Sequence, residues 1–555
     1  MKKLTYSFLV IGLTVCFASC TKDFAELNTN PQIMTEPKPE YLFTYAADAL
    51  PDGTSAWLYE HLEQYLRWSQ LLVTASYEPG SMDMHSRYNN LYGSILPNLF
   101  EMRRIIETLP DKDAHMKLWA ASYVMQAWAT LRVTDVFGSM PYSEAIKART
   151  ETYYTPKYDN QEFLFEQIYN ELNEAIVILK DGTLPIQAFS PQADIYYNGD
   201  WNKWCKLANS LLLRLATRYE GQNRDRAISI FKQVMQDPIG PISSIDEEFR
   251  YQRPEHHPMG EIDYRATRYA SRNIVDFMKK TDDIRLGMYY AANGLTGSWK
   301  DTLSTYGVTA PSFVDYNDPQ VQYQGGPANW NHADASWIGV NLIAGTQRYP
   351  IISTINRRFF AARLNNILGT VSIIFVNHAE VCFYISEFIQ KGYGAGIDTK
   401  GTAEDWYKKG VESSLRNMYA ISQRAIAFPE MTASELTTSV TNYLNKADVK
   451  FDGANNMEKL MIQQYLNFYR DGNEAFAFIR RSGFPKRNSS ILKTDDPGEN
   501  VPRRLWTVEP MQLNRANWED AMREQGFTMR DYTPHVLSTE RLWWDKNNPA
   551  YGVGL

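Results

Sequence analysis

The stretch at residues 162–180, EFLFEQIYNELNEAIVILK, decides the fold class. Phe165, Ile168, Tyr169, Leu172, Ile176 and Leu179 recur at spacings of three and four, which puts them on one apolar stripe of an amphipathic helix. Asp159 stands before the segment as the predicted N-cap, and Asp181-Gly182 closes it. The flanking segments have the same character. Residues 113–138, DAHMKLWAASYVMQAWATLRVTDVFG, stop at Gly138 and then Pro141. Residues 200–220, DWNKWCKLANSLLLRLATRYE, place Trp201, Trp204, Leu207, Leu211 and Leu215 on one face. From Tyr41 to about Met235 the chain therefore predicts helices alternating with Gly/Pro turns, packed as hairpins. No clean 34-residue period emerges, so a regular solenoid is not implied.

Beyond residue 238 the pattern breaks. Residues 297–337, GSWKDTLSTYGVTAPSFVDYNDPQVQYQGGPANWNHADASW, are rich in Gly, Asn, Asp and Pro and carry little helical periodicity. Irregular stretches of this length inside a compact protein are functional or disordered, and disordered segments are poor in aromatics. The density of Trp and Tyr here predicts an ordered binding loop, with the irregular insertion running over about 238–349. Helical signal returns at 373–392, 403–422 and 456–483.

The N-terminus fixes the compartment. Lys2 and Lys3 precede an apolar run from Leu4 to Ala18, the charged and apolar regions of a secretory signal, too short to span a bilayer. Phe17-Ala18-Ser19-Cys20 resembles a bacterial lipobox, in which Cys20 becomes the lipidated N-terminus. Each buried lipid CH₂ contributes roughly 0.8 kcal/mol, so several acyl chains anchor a protein almost permanently. Residues 1–19 are then a signal peptide and 20–40 a lipidated tether. Length alone suggests about two to four domains for the rest, and the family resemblance described below implies a single domain over 41–555.

Composition excludes several classes. The formal net charge is −7 and becomes two units more negative once Lys2 and Lys3 are removed, with no long basic run to serve as a nucleic-acid footprint. Cys205 and Cys382 are the two cysteines of the mature chain, and pairing or two free thiols are both open. There is no H-E-x-x-H, G-x-S-x-G or G-x4-G-K-[ST] pattern. GYGAGID at 392–398 follows a helix rather than a strand and reads as a connection, not a nucleotide loop. No cofactor and no metal-ligand set is called for. Aromatic residues make up 13% of the chain, with 35 Tyr and 14 Trp, enough for a heavily aromatic core or for a surface that grips flat, hydroxylated ligands.

An ordered series of segments resembles the SusD/RagB family of outer-membrane nutrient-binding lipoproteins. It begins with CTKDFAELNTNP (20–31) and continues with TDVFGSMPYSEA (134–145), YYNGDWNKWCKLANSLLLRLATR (196–218) and DDIRLGMYY (282–290). HAEVCFYISEF (378–388), WYKKGVESSL (406–415), YRDGNEAFAFIRRSGFPK (469–486), RRLWTVEPMQLN (503–514) and WWD (543–545) complete it. Ile284 and Phe476 depart from the family pattern, where Pro and Trp are common, and both read as packing substitutions. The resemblance implies a mainly α fold in which tetratricopeptide-like helical hairpins support an irregular, loop-rich ligand-binding half. It also implies a lipid-anchored protein of the outer membrane that faces the exterior and caps a SusC-like TonB-dependent barrel. On this reading the chain is no enzyme: it captures oligosaccharides and passes them to the transporter. Peptide binding within the same family is the alternative, with a surface glycoside hydrolase or protease as a third reading.

The irregular segment supplies the candidate ligand contacts: Trp299, Tyr306, Tyr316, Tyr323, Asn329, Trp330 and Trp337, joined by Tyr77 on an earlier loop. A sugar packs its C–H face on a ring while its hydroxyls need polar partners, which is why aromatic and amide side chains are expected together. The competing reading is that these rings pack a region with no helices to do so.

Overall fold

A computed structural model of the chain describes residues 37–555 apart from 54–55, 75–83, 253–267, 310, 329–338, 344–346, 357–358, 360–362, 365–366, 369–371, 425–427 and 498–499. The predicted leader and Cys20 lie outside the described residues, as do Tyr77, Asn329, Trp330 and Trp337.

The longer helices are α1 (Pro39–Asp48), α2 (Leu96–Thr108), α3 (Met116–Phe137), α4 (Gln161–Lys180), α5 (Trp201–Tyr219), α6 (Arg224–Gln236), α7 (Arg272–Thr281), α8 (His378–Gln390), α9 (Ala403–Arg424), α10 (Ala433–Leu444), α11 (Asn456–Asn467), α12 (Gly472–Ser482) and α13 (Arg515–Gln525). Neighbours in sequence pack as pairs: α1 on α2, α3 on α4, α5 on α6, α8 on α9, with α4 also against α5 and α8 against α11. The fold is mainly helical and tetratricopeptide-like. Strands are short and pair antiparallel in twos: β1 (Leu72–Thr74) with β3 (Arg268–Ala270), β2 (Phe249–Tyr251) with β8 (Ile373–Val376), β4 (Gly339–Ile343) with β5 (Gln347–Pro350), and β6 (Arg363–Leu364) with β7 (Ile367–Leu368).

The stripe that predicted α4 is largely its buried face: Phe165, Ile168, Leu172, Ile176 and Leu179 lie in the main core together with Leu164, while Tyr169 is half-buried against it. Its N-cap is Asn160, not Asp159. The Asn160 side chain accepts from Phe163 N at 2.9 Å. Asp159 is drawn into the preceding turn, where its carboxylate accepts from Tyr142 N (3.1 Å), Ser143 N (2.7 Å) and Ser143 Oγ (2.9 Å). Both residues are good caps, and the turn claims the carboxylate. Helix α5 is capped by Asp200 and buried on all sides from Leu211 to Tyr219. Each fully buried Leu there contributes about 1.5–3 kcal/mol. The helix also carries Arg214 and Arg218 into the interior.

Those two guanidiniums organise the centre. Arg214 forms a forked pair with Glu380 of α8 (Nε to Oε1 2.7 Å, Nη2 to Oε2 2.8 Å) and lies 3.4 Å from Glu474 of α12. Arg218 meets Asp135 of α3 at 2.9 Å and Glu474 at 2.8 Å. Next to them Arg481 grips Glu387 at 2.8 Å through both of its terminal nitrogens. Arg480 donates to the carbonyls of Asp135 (2.8 Å) and Arg503 (3.0 Å), and Arg503 pairs with Asp545. Glu474, Arg480 and Arg481 are thus fully inside, but each serves a different partner set. Phe476 stacks on Tyr65 with centroids 5.1 Å apart and planes 11° from parallel, a packing role as expected. Cys205 and Cys382 are free and buried, and burial pushes the Cys205 thiol up to about 12.

Helix α7 corrects the sequence reading, which expected little helix over 238–349. Its apolar stripe of Ile274, Val275, Phe277 and Met278 is buried, and the irregular structure runs on past Tyr349 to β8.

Three carboxylates share the guanidiniums of α5. Burial pushes all three up, and only for Glu474, which touches both cations, does the attraction of Arg214 and Arg218 prevail, holding it down to about 2. Asp135 and Glu380 stay raised by burial. A depressed carboxylate contributes stability that is complete above the unfolded value, 4.5, and is lost as pH falls towards about 2. Glu474→Gln should therefore cost about 2–3 kcal/mol in urea unfolding at pH 7. The gap between variant and wild type should close between pH 4.5 and about 2.

Candidate ligand-binding face

The irregular half builds a second, smaller core of its own. Val73, Tyr269, Leu295, Trp299, Leu303, Val314, Val321, Ile351 and Ile352 are buried together, with Phe313, Tyr316, Val308 and Ala328 packed against them. Without long helices, the segment satisfies its backbone through side-chain turns. Asn293 accepts from Leu295 N at 2.9 Å and donates to the Ile351 carbonyl. Asp315 accepts from Asn317 N (2.9 Å), and Asp318 from Gln320 N (2.8 Å). Such Asx turns are the local alternative to a ladder of backbone bonds. Asp318 also pairs with Lys279 of α7 at 2.6 Å.

Two devices fix this half to the scaffold. Gly325 passes so close to α7 that a Cβ would lie 2.3 Å from Arg272 Cα, so only glycine permits the approach. Arg272 N then donates to Gly326 O at 2.9 Å. Asp495, from the C-terminal region, accepts from Asn273 Nδ2 (2.9 Å) and Ala328 N (3.2 Å). Its own backbone is gripped twice by Gln70, each bond 2.9 Å long. Ala328 is thereby anchored, and residues 329–338, which include Asn329, Trp330 and Trp337, lie outside the described residues. Gln70 and Asp495 stand 425 residues apart, and no sequence signal joins them.

The structure divides the described candidates. Trp299 is 9% exposed, sits in the small core at the start of the short helix Trp299–Thr305, and donates its indole N–H to Gly294 O at 3.1 Å. It is a packing ring, not an open platform, which corrects the expectation for this residue. Tyr306, at the C-cap of that helix, is 53% exposed. Tyr316 is half-buried, and its hydroxyl has no hydrogen-bond partner among the described residues. Tyr323 packs against the main core instead; a Cβ on Gly287 would fall 2.9 Å from its hydroxyl and 3.0 Å from Phe428. Burial pushes the phenols of Tyr316 and Tyr323 up, so both are neutral donors at neutral pH. Trp299, Phe313 and Tyr316 thus gather around one core, with Tyr323 beside Phe428 at a second place. Rings, neutral hydroxyls and locally bonded carboxylates suit an uncharged, hydroxyl-bearing ligand. Among the described residues no group of three His, Cys, Asp or Glu is placed to hold a metal ion, and no helix is long and apolar enough to cross a membrane.

The SusD-like family model described as "Starch-binding associating with outer membrane" matches residues 31–506. Solved structures similar in fold include a chitin-binding protein at 22% identity and TM-score 0.68, covering 92% of this chain and 100% of its own. A SusD homologue from Bacteroides fragilis matches at 23% identity and TM-score 0.65, with 92% and 100% covered. A chitin-binding SusD homologue from Flavobacterium johnsoniae matches at 20% identity and TM-score 0.62, with 92% and 98% covered. No curated protein sequence matches this chain.

Alanine at Trp299 should cost about 3–5 kcal/mol of stability, the range for emptying a buried aromatic site. Tyr306→Ala should leave the unfolding midpoint within experimental error, and chemical denaturation of both variants separates core ring from surface ring. Asp495→Ala should release the insertion locally, speeding amide exchange at Ala328 and Gly326 by about tenfold or more, as hydrogen-exchange mass spectrometry would read.

Proposed function

The chain belongs to the SusD-like family, and from that premise we propose that it is a cell-surface lipoprotein that captures oligosaccharides without cleaving them and delivers them to a TonB-dependent outer-membrane barrel. The family match over residues 31–506 carries this reading. The chitin-binding function of two of the structural relatives supports a glycan as the ligand class. In this proposal Cys20 carries the lipid, the tether at 20–40 holds the domain at the outer face of the membrane, and the helical half faces the transporter. The irregular half faces the nutrient, with Tyr77, Tyr306, Tyr316, Tyr323, Asn329, Trp330 and Trp337 as the contact set.

The chemistry of such a site is adhesive. A ring face offers dispersion and C–H contacts to a pyranose, and neutral phenols and amides exchange hydrogen bonds with its hydroxyls. Asp315 and Asp318 are already engaged in turns and an ion pair, which favours binding over acid–base work in this segment.

Alanine at both Trp330 and Trp337 should abolish the loop-site binding event in calorimetric titration of a chitin or starch oligosaccharide while leaving the melting temperature nearly unchanged. A large loss of stability instead would make them core residues. Chromatography of the incubation mixture checks the non-catalytic part: release of shortened sugars would make the protein a hydrolase, and binding of peptides in place of glycans would change the ligand class.

A further inference from the structure

A cavity of about 680 Å³ opens between α2, α3, α4 and the segment that follows Tyr142, away from the irregular half. Its size falls within the range of small-ligand pockets, roughly 300–1,000 Å³. Its polar wall is a directed chain of buried side chains. Arg103 donates to Ser122 Oγ (2.9 Å) and Gln126 Oε1 (2.7 Å). Gln126 donates to Tyr142 OH at 2.6 Å, and Tyr142 donates to Glu171 Oε2 at 2.5 Å. The Arg103 guanidinium lies over the rings of Phe100 (4.9 Å) and Tyr123 (4.2 Å), both half-buried and both lining the cavity.

Arg103 is 5% exposed, yet among the described residues no carboxylate lies within ion-pair distance of it. A guanidinium has five N–H donors, and the bonds above use two nitrogens. At the other end of the chain Glu171 offers acceptor oxygens. Burial pushes the Arg103 pKa down and the Glu171 pKa up, the mark of two charges short of hydration. At the mouth, the cations Arg104 and Lys147 are paired with Glu101 and Glu151. The lining holds four carboxylates (Glu101, Glu107, Glu151 and Glu171) against three cations (Arg103, Arg104 and Lys147), so a strongly charged ligand would find little excess of opposite charge. Donors at one end, acceptors at the other and rings along the wall match a polyhydroxylated one instead.

We propose that this cavity is a second saccharide-binding site, carried by the helical scaffold, which takes a neutral sugar unit between Arg103 and Glu171 with Phe100 and Tyr123 as its apolar walls. The ligand class rests on the proposed glycan-binding function; the place does not.

The test is calorimetric titration of maltotriose and of triacetylchitotriose into the full mature protein and its variants. Trp330→Ala with Trp337→Ala removes the loop site and should leave one binding event. Adding Thr150→Trp, an exposed position on the rim, should abolish that remaining event by filling the mouth. Adding Glu171→Gln, whose fold is checked by its melting curve, should weaken it about tenfold. Absence of any heat with the double variant, or heat that Thr150→Trp leaves unchanged, overturns the proposal. Binding that Thr150→Trp abolishes in the otherwise wild-type protein, and that the double variant retains in full, upholds this site and removes the loop site instead.

Discussion

Everything else in the molecule depends on the burial of Arg214 and Arg218. Removing two guanidiniums from water costs several kcal/mol each unless carboxylates meet them in good geometry. The partners come from three other helices: Asp135 from α3, Glu380 from α8 and Glu474 from α12. None of these helices can shift without leaving a charge unpaired in the core, so the network fixes their mutual placement more tightly than apolar packing alone. Apolar contacts tolerate repacking, whereas a forked guanidinium–carboxylate pair does not.

This network also joins segments that lie far apart in the sequence. Asp135 lies in TDVFGSMPYSEA, Arg214 and Arg218 in the LANSLLLRLATR segment, Glu380 in HAEVCFYISEF, and Glu474 in YRDGNEAFAFIRRSGFPK. The last two motifs meet as well, since Arg503 of RRLW pairs with Asp545 of WWD. Within DDIRLGMYY, Arg285 forks onto Asp283 and reaches Tyr443 and Gln463. What reads along the chain as a string of separate signatures is in good part buried ion pairing: one network of Asp135, Arg214, Arg218, Glu380 and Glu474, with Arg503–Asp545 and Arg285–Asp283 as further buried pairs. They are scaffold residues, and the ligand chemistry has to be carried elsewhere.

The helices were legible because each buries one face or nearly all of itself, and a 3.6-residue period survives in the sequence as a stripe. Five of the six stripe residues of α4, all but the half-buried Tyr169, lie on its buried face. The cap was misplaced by one position because Asp159 and Asn160 are chemically equivalent caps, and only the turn at Tyr142–Ser143 decides which is free. The aromatic-rich segment was legible as a stretch of sequence, but the burial of its individual rings was not. Trp299 and Tyr306 lie seven residues apart in the same polar-aromatic stretch, yet one is core and the other half-exposed. Composition counts rings; it does not say which side of a small core they occupy. The anchor formed by Gln70, Arg272 and Asp495 was invisible for a different reason, because a contact across hundreds of residues leaves no local pattern.

The same reasoning separates the two polar regions of the scaffold. Arg214, Arg218, Arg481 and Arg503 each meet a carboxylate in the dry interior and are fully used. Arg103 is as deeply placed but bonded only to the neutral Ser122 and Gln126, between two rings and against open space. In a network built for stability, the carboxylate nearest this cation would close on it. Here Glu171 is instead held at the far end of the hydrogen-bond chain by Tyr142 and Gln167. A fold that pairs its buried charges wherever it needs rigidity, and holds one pair apart across a cavity, has arranged that pair for something that enters from outside.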